Sequence, residues 1–260
     1  MPTEAGEVLA EHANDVLGAL EAAQQAVGRV RQRLEGQLVL GAFPAAMSVL
    51  MPRAVARLAQ SNPTLRISLH DASTPALIER MRDGLLDLAI VAIGPDLPDY
   101  DLSDLRRDVL LSEALRVAVP IAHPLARRSP VTVADLRNEP WIVGEAGSAT
   151  EPIFAAWPTL EEPRIAYASQ SWPTRLGMVA AGLGIALIPG LAAESVPAGV
   201  TVVDVDDATQ PRRTAVAITP ADPSAAAKAA VAALRSEAAR IALTRPRPSP
   251  VDSTSATSGT

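Results

Sequence analysis

The most regular hydrophobic pattern in the chain lies in its first 36 residues. Apolar positions recur there at alternating spacings of four and three residues, which is the pattern of a two-stranded coiled coil. These positions are Leu9, Ala13, Val16, Leu20, Ala23, Val27, Val30 and Leu34. Charged and amide side chains such as Glu11 and Glu21 lie between them, and Gly36 is placed to end the helix. So narrow an apolar seam predicts a dimerisation helix over residues 1–36.

Strand-like and helix-like patterns alternate behind this helix. Leu38 to Phe43 is apolar on both faces, as a buried parallel strand is. It opens three strand–helix units in a row, which predict a doubly wound sheet. A second alternation follows, and then a strand over 213–218 and an amphipathic helix over 223–243. The predicted inner stripe of that helix is Ala227, Val231, Leu234, Ala238 and Ile241. Asp222 is the predicted cap of the same helix.

The predicted fold class follows from this order of elements. It is an α/β fold of two Rossmann-like lobes, joined by crossover strands near 112–118 and 200–206 and preceded by the long linker helix. The predicted boundaries are 1–36 for the linker, 38–113 and 206–243 for lobe I, 114–205 for lobe II, and 244–260 for a disordered tail rich in Pro, Ser and Thr. The cleft between the lobes is then the predicted binding site.

Composition narrows the class of protein. Hydrophobic residues make up 48% of the chain and charged residues 20%, as in a globular protein, while an aromatic content of 3% predicts an aliphatic core. The net charge of −6 argues against nucleic acid as a partner of these residues. The short basic clusters Arg29–Arg33, Arg127–Arg128 and Arg212–Arg213 are interpreted as solvated faces. We find no signal peptide and no apolar run that could span a membrane, so a cytoplasmic location is expected.

The residue types that carry catalysis are poorly arranged here. The chain has no cysteine, and its three histidines have no metal-ligand spacing. Gly182-Leu183-Gly184 lies between a helix and a strand, the reverse of the order in a dinucleotide fingerprint, so it is interpreted as a helix C-cap and a tight turn. Ser148 lacks the flanks of a nucleophile elbow. The sequence therefore predicts no enzyme, no metal and no cofactor.

Three polar turns at predicted helix starts are better candidates, for binding. Gly147-Ser148-Ala149-Thr150 could accept an anion with its hydroxyls and the helix N–H groups, or could simply cap the helix. The same two alternatives apply to Thr74, the predicted cap of its helix. Ser171 and Trp172 form the third turn, where the tryptophan could be a wall of a ligand pocket or part of the core.

Five segments of the chain stand out as motifs in a fixed order. They are Pro2–Leu9, Leu38–Phe43 with Leu50–Pro52, Asp83–Ile90, Ala122–Ala126 and Val179–Pro189. Together they resemble the linker helix and effector-binding domain of LysR-type transcriptional regulators, from residue 2 to about residue 243. The resemblance implies two lobes like those of type II periplasmic binding proteins and a small-molecule effector in the cleft between them.

The resemblance also implies which residues contact the effector. The predicted set is Phe43, Pro44, Ala45, Thr74, Ile93, Gly147, Ser148, Thr150, Ser171 and Trp172. Ala45 lies where members of the family often carry a serine or threonine that binds a carboxylate. Its presence favours a less polar effector, or a pocket that uses Ser148 and Thr150 instead.

The family's winged helix-turn-helix has no counterpart in these 260 residues. DNA contact is therefore expected only through a helix-turn-helix that they do not contain. The preferred interpretation is the sensing and dimerisation part of a LysR-type regulator, a homodimer or tetramer with a small-molecule effector and no membrane partner. The alternatives are a stand-alone solute-binding protein of the same fold and a dominant-negative partner of a full-length regulator. The missing export signal and the coiled coil count against the first of these.

Overall fold

The computed structural model describes residues 36–244, except residues 96, 145–155, 158, 161, 208–209 and 211. The predicted coiled-coil seam from Leu9 to Leu34 and the predicted tail lie outside the described residues. So do the candidate binding residues Gly147, Ser148 and Thr150. All of these remain predictions from the sequence.

Strands and helices alternate along the described chain. The strands are β1 (Gln37–Ala42), β2 (Arg66–Asp71), β3 (Leu88–Ile93), β4 (Arg106–Pro120), β5 (Val131–Thr132), β6 (Trp141–Val143), β7 (Ile165–Ala168), β8 (Ala186–Pro189), β9 (Val200–Val203), β10 (Val205–Asp206) and β11 (Arg212–Thr219). The α-helices are α1 (Pro44–Ser48), α2 (Leu50–Ser61), α3 (Thr74–Arg82), α4 (Val133–Leu136), α5 (Trp172–Ala180) and α6 (Ala225–Thr244). Two 3₁₀ helices are η1 (Pro124–Arg127) and η2 (Gly190–Ser195).

One half of the molecule, called lobe I below, is built on β1, β2, β3, β11 and the first half of β4. Strand β1 pairs in parallel with both β2 and β3, as the three strand–helix units predict. The predicted late strand, β11, joins this sheet between β3 and β4 and is antiparallel to both. Helices α2 and α6 pack against each other beside this sheet.

The other half, lobe II, begins where β4 changes partners. Its residues Arg106–Ala114 pair with β11, whereas Leu115–Pro120 pair with β8 and β9. Strands β6 and β7 form a parallel pair that is joined to β8 through a bridge between Trp141 and Ile185. The single strand β4 therefore runs through both lobes, and the architecture is α/β with two lobes, as the sequence predicts.

The two lobes have different cores. The main cluster in lobe I is aliphatic, with Leu38, Leu50 and Met51 fully buried. The predicted inner stripe of α6, from Ala227 to Ile241, is buried in this cluster, which confirms that prediction. Lobe II instead contains Trp141 and Trp157, both fully buried, with ring centroids 6.1 Å apart. The expectation of an aliphatic core therefore holds in lobe I, and in lobe II it holds apart from these two tryptophans.

The helix ends test the predicted capping residues. Gly182 has φ +78°, and Leu183 N–H donates to the Met178 carbonyl at 3.1 Å, so α5 ends in a Schellman motif as predicted. Two predicted N-caps are wrong. Thr74 is the first residue of α3 and not its cap, and α6 is capped by Ser224, whose Oγ accepts from Ala227 N–H at 3.1 Å. Asp222 lies too far before Ala225 to bond the first turn.

Candidate functional site

A pocket of about 220 Å³ lies where the two lobes meet. Lobe I contributes the junction of β1 with α1 and one side chain of β11, and lobe II contributes β6, β8 and the start of α5. The described lining residues are Phe43, Pro44, Ala45, Trp141, Ile142, Val143, Gln170, Trp172, Arg175, Leu187, Pro189 and Arg213. A cavity of about 150 Å³ with apolar walls holds benzene, so this pocket suits a compact ligand.

A larger cavity, of about 500 Å³, lies between α2, α6 and η2. Its walls are charged, and those charges already pair with one another. Arg53 contacts Glu194 at 2.6 Å, and Arg57 contacts Glu237 at 2.5 Å. Ligand sites are usually apolar with a few convergent polar groups. The smaller pocket at the lobe junction has that character, so we take it as the candidate site.

The junction of β1 and α1 forms the lobe I wall of the pocket. Phe43 occupies the N-cap position with extended backbone and Pro44 is the first helical residue, where a missing N–H costs nothing. Phe43 packs against apolar clusters of both lobes, and Ala45 is buried in a cluster whose other members include Ile142 and Leu176. This segment therefore touches lobe II directly.

The start of α5 forms the opposite wall. Ser171 is the N-cap, and its Oγ accepts from the Thr174 hydroxyl at 2.8 Å and from Thr174 N–H at 3.4 Å. Its hydroxyl thus caps the helix. Trp172 follows as a half-buried wall residue. The guanidinium carbon of Arg175 lies 4.7 Å from the Trp172 ring centroid, within cation–π range.

Arg213 brings a second guanidinium to the pocket, from lobe I. It lies opposite the buried Glu113 in the pairing of β11 with β4, and the Glu113 carboxylate accepts from Leu191 N–H. Tyr100 lies within electrostatic range of the same arginine. Burial raises the pKa of the Tyr100 hydroxyl above its ordinary value, while the positive charge of Arg213 opposes that rise.

Hydrogen-bond donors prevail among the polar side chains of the pocket. The indole N–H groups of Trp141 and Trp172 are buried and have no hydrogen-bond partner within the described part of the chain. A guanidinium offers donors only. Among the described lining residues, Gln170 alone has a side chain with a hydrogen-bond acceptor oxygen.

Three of the described predicted contact residues do not line the pocket. Thr74 is buried, and its Oγ1 accepts from the N–H of Ala92 at 3.2 Å, so its hydroxyl joins α3 to the end of β3. Ile93 is the last residue of β3 and pairs with Thr214. Ser171 is likewise not among the lining residues. Phe43, Pro44, Ala45 and Trp172 are brought together, and the role of every predicted residue in binding remains a prediction.

Sequence reasoning missed the charged part of the pocket. The interpretation of the Arg212–Arg213 pair as a solvated face fits the exposed Arg212 but is wrong for Arg213. Alternation along a strand could have separated these two neighbours, since adjacent side chains point to opposite faces. For Arg175 the signal was its position three residues after Trp172, because side chains at that spacing lie on the same face of a helix.

The described residues hold no group of three or more His, Cys, Asp or Glu side chains that could bind a metal ion. None of the described helices is long and apolar enough to cross a membrane.

Comparison with known proteins identifies the family of the chain and agrees with the fold. Residues 31–239 match the family described as the LysR substrate binding domain, and the chain belongs to this family. The DNA-binding transcriptional dual regulator OxyR of Escherichia coli K12 is 29% identical over 193 residues, which are 73% of this chain and 61% of that protein. The Hca operon transcriptional activator HcaR of the same strain is 29% identical over 194 residues, 72% of this chain and 63% of that protein. These relatives are transcriptional regulators and not enzymes, and the chain spans less than two thirds of their length.

Solved structures show the same architecture. The BenM effector binding domain with its effector benzoate has a TM-score of 0.65 at 24% identity and covers 81% of this chain and 95% of that one. The reduced form of the OxyR regulatory domain from Pseudomonas aeruginosa has a TM-score of 0.63 at 23% identity and covers 76% of this chain and 97% of that one. At these identities the likeness concerns the fold alone. It confirms the predicted two-lobed fold of periplasmic-binding-protein type.

Proposed function

We propose that the chain is the ligand-sensing and dimerisation part of a LysR-type transcriptional regulator, and that a small-molecule effector binds in the pocket between the lobes. The observation that carries this proposal is that both lobes contribute walls to one pocket. A ligand held by both lobes favours one arrangement of the lobes over others, which is the requirement for a sensor.

The rest of the proposed organisation follows the sequence. Lobe I comprises residues 38–113 and 206–243, and lobe II comprises residues 114–205. Residues 1–36 form the coiled coil that makes the dimer, and DNA is bound by a helix-turn-helix outside these 260 residues. The regulators to which the chain is related act on DNA, so we place the protein in the bacterial cytoplasm.

A thiol-based response to peroxide is not part of the proposal, although some relatives are named hydrogen peroxide-inducible genes activators. The reactive form of a protein thiol is the thiolate of cysteine, and these residues contain no cysteine. A non-covalent effector is the alternative that the pocket supports.

Thermal unfolding of the 260-residue chain tests for effector binding in the pocket. The probes are ring-sized acids and their neutral amides, benzoate and benzamide among them. We expect at least one probe to raise the Tm, as a ligand specific for the folded state does. Ala45→Leu, which adds volume to the pocket wall, should abolish the shift, and Ala59→Leu on the exposed face of α2 should retain it. A shift of equal size in both variants would place the ligand elsewhere.

Sedimentation velocity tests the dimerisation part. We expect the chain to sediment as a dimer or a larger oligomer at micromolar concentration. Leu20→Lys places a charge in the predicted seam and should yield monomers, whereas Glu21→Lys on the predicted outer face should not. A monomeric unsubstituted chain would refute the proposed role of residues 1–36.

A further inference from the structure

The 3₁₀ helix η2 (Gly190–Ser195) belongs to lobe II by its position in the chain but packs on lobe I. It lies between β8 and β9, and both of these strands pair with the second half of β4. Leu191 of η2 is 1% exposed and is part of the main apolar cluster of lobe I. Every other buried member of that cluster, among the described residues, comes from lobe I. The chain therefore runs from lobe II into the core of lobe I and back again.

Polar contacts attach both ends of η2 to lobe I. At its start, the buried carboxylate of Glu113 on β4 accepts from Leu191 N–H, a donor that has no partner within the helix. At its end, Ser195 Oγ lies 3.2 Å from Ser48 Oγ of α1. The short helix is thus fixed to the other lobe by its first turn, by one apolar side chain and by its last residue.

The buried leucine contributes most to this attachment. Burial of one leucine side chain favours the buried state by about 10- to 100-fold in an equilibrium constant. The ion pair between Glu194 and Arg53, 2.6 Å apart, is exposed on both sides and adds little. A rotation of the lobes that carried η2 along with lobe II would have to draw Leu191 out of the core of lobe I. The attachment therefore opposes a hinge motion of the lobes about the crossover strands.

The attachment also lies next to the candidate pocket. Leu187 and Pro189 of β8 line the pocket, and η2 begins at the residue after Pro189. From lobe I, Pro44 and Ala45 of α1 line the pocket. Ala192 of η2 is buried in the same apolar cluster as Ala45. The helix thus connects the β8 wall of the pocket directly to the α1 wall.

We propose that η2 is an interlobe strap, which holds the two lobes in one arrangement and keeps the pocket formed when no ligand is bound. Leu191 anchors the strap in the core of lobe I, and Glu113 positions its first turn. A change in the arrangement of the lobes then requires the strap to shift on α1 or to detach from lobe I. The strap is a two-state element on which a ligand can act, whatever the chemistry of that ligand.

Distances between spin labels on the two lobes test this proposal on the full 260-residue chain. The chain has no cysteine, so labels attach only at Ala59→Cys on α2 and Ala134→Cys on α4, two exposed positions. The labelled protein is refolded with an excess of unlabelled chain, so that an oligomer holds one labelled copy. Double electron–electron resonance then gives the distribution of distances between the lobes. We expect a single narrow distribution in the absence of any ligand.

Two leucine truncations separate the strap from the core around it. Leu191→Ala should broaden the distance distribution by about two-fold or more, because the strap loses its anchor. Leu58→Ala on α2 is the matched control, since it removes the same atoms from the same cluster and should leave the distribution unchanged. Circular dichroism sets a temperature at which both variants are folded. An unchanged distribution in Leu191→Ala, or equal broadening in the two variants, would overturn the proposal.

Two substitutions of Glu113 test its positioning role in the same experiment. Glu113→Leu removes the acceptor for Leu191 N–H and should broaden the distribution. Glu113→Gln keeps an acceptor oxygen at that place and should retain the narrow distribution. If the two variants broadened the distribution equally, Glu113 would not position the strap through this hydrogen bond.

A cross-link tests the position of the strap even if Leu191→Ala fails to fold. Ser48→Cys and Ser195→Cys together place two thiols where the hydroxyl oxygens lie 3.2 Å apart, within reach of a disulfide. Mild oxidation of the folded protein should form this disulfide in most molecules, measured as the loss of both free thiols. Thiols that stay free would show that the strap is not docked on lobe I in solution. Neither measurement needs an effector, so a failure here leaves the proposed function intact.

Discussion

Gly184 lies at a point where the backbone of lobe II passes too close for any side chain. It connects the end of α5 to β8, one residue before Ile185. A Cβ at this position would overlap the Pro140 carbonyl oxygen and would lie 3.3 Å from Ile142 Cγ1. The same carbonyl accepts from Ile185 N–H at 2.8 Å, and Ile142 N–H donates to the Ile185 carbonyl at 2.8 Å. Gly184→Ala must therefore displace the backbone at β6 or break these bonds.

The loss of stability in Gly184→Ala depends on which atom the new Cβ overlaps, and here it is a backbone oxygen. Backbone cannot rotate away as a flexible side chain can, so the usual cost of overpacking applies, about 1–3 kcal/mol of the free energy of unfolding. For a protein of this length, 1 kcal/mol corresponds to a Tm change of roughly 2–4 °C. We expect the Tm to fall by about 4–8 °C for a cost near 2 kcal/mol. Trp141, Ile142 and Val143 line the pocket, so ligand affinity should fall as well.

Gly177→Ala is the matched control for this prediction. Gly177 is exposed within α5, and a Cβ there would meet nothing within 4 Å. Alanine is the better helix former, so this variant should be more stable by about 0.5–1 kcal/mol. Urea-induced unfolding followed by circular dichroism measures both variants. Gly184→Ala with wild-type stability, or equal changes in the two variants, would show that the close approach to Pro140 is not a constraint in solution.

Two further substitutions test contacts outside the pocket. Thr74→Val removes the acceptor for Ala92 N–H and should lower the free energy of unfolding in urea by about 1–3 kcal/mol. Thr74→Ser keeps the hydroxyl and should lower it by less. Equal losses in the two variants would disprove that the hydroxyl joins α3 to β3. Glu237→Gln removes the ion pair with Arg57, which joins α2 to α6, and the ion pair with Arg240 within α6. It should cost about 1–2 kcal/mol of the free energy of unfolding at pH 7, since Arg57 is partly exposed. The hydrogen bond from Arg57 lowers the pKa of Glu237 from its ordinary value of 4.5, so this stabilisation is present above that pH and is lost as the pH falls below it. The difference between wild type and Glu237→Gln should therefore shrink between pH 5 and about pH 3, and a constant difference would contradict the assignment.

Local signals in the sequence determined much of the fold. The alternation of strands and helices reflects which side chains must be buried, and that information lies within each segment. Gly182 ends α5 because glycine readily adopts a positive φ, which depends on no distant residue. The stripe from Ala227 to Ile241 places α6 against lobe I for the same kind of reason.

The candidate site was decided by contacts between distant segments. The sequence marked Phe43, Pro44, Ala45 and Trp172, which lie at element ends that the periodicity can locate. It did not mark Arg213, because the insertion of β11 between β3 and β4 depends on strand pairing that no local pattern encodes. Thr74 shows the converse case, since its hydroxyl bonds to Ala92 and the helix start alone could not reveal that partner. Periodicity states which face of a segment is buried, and only the tertiary structure decides which charges the buried faces bring together.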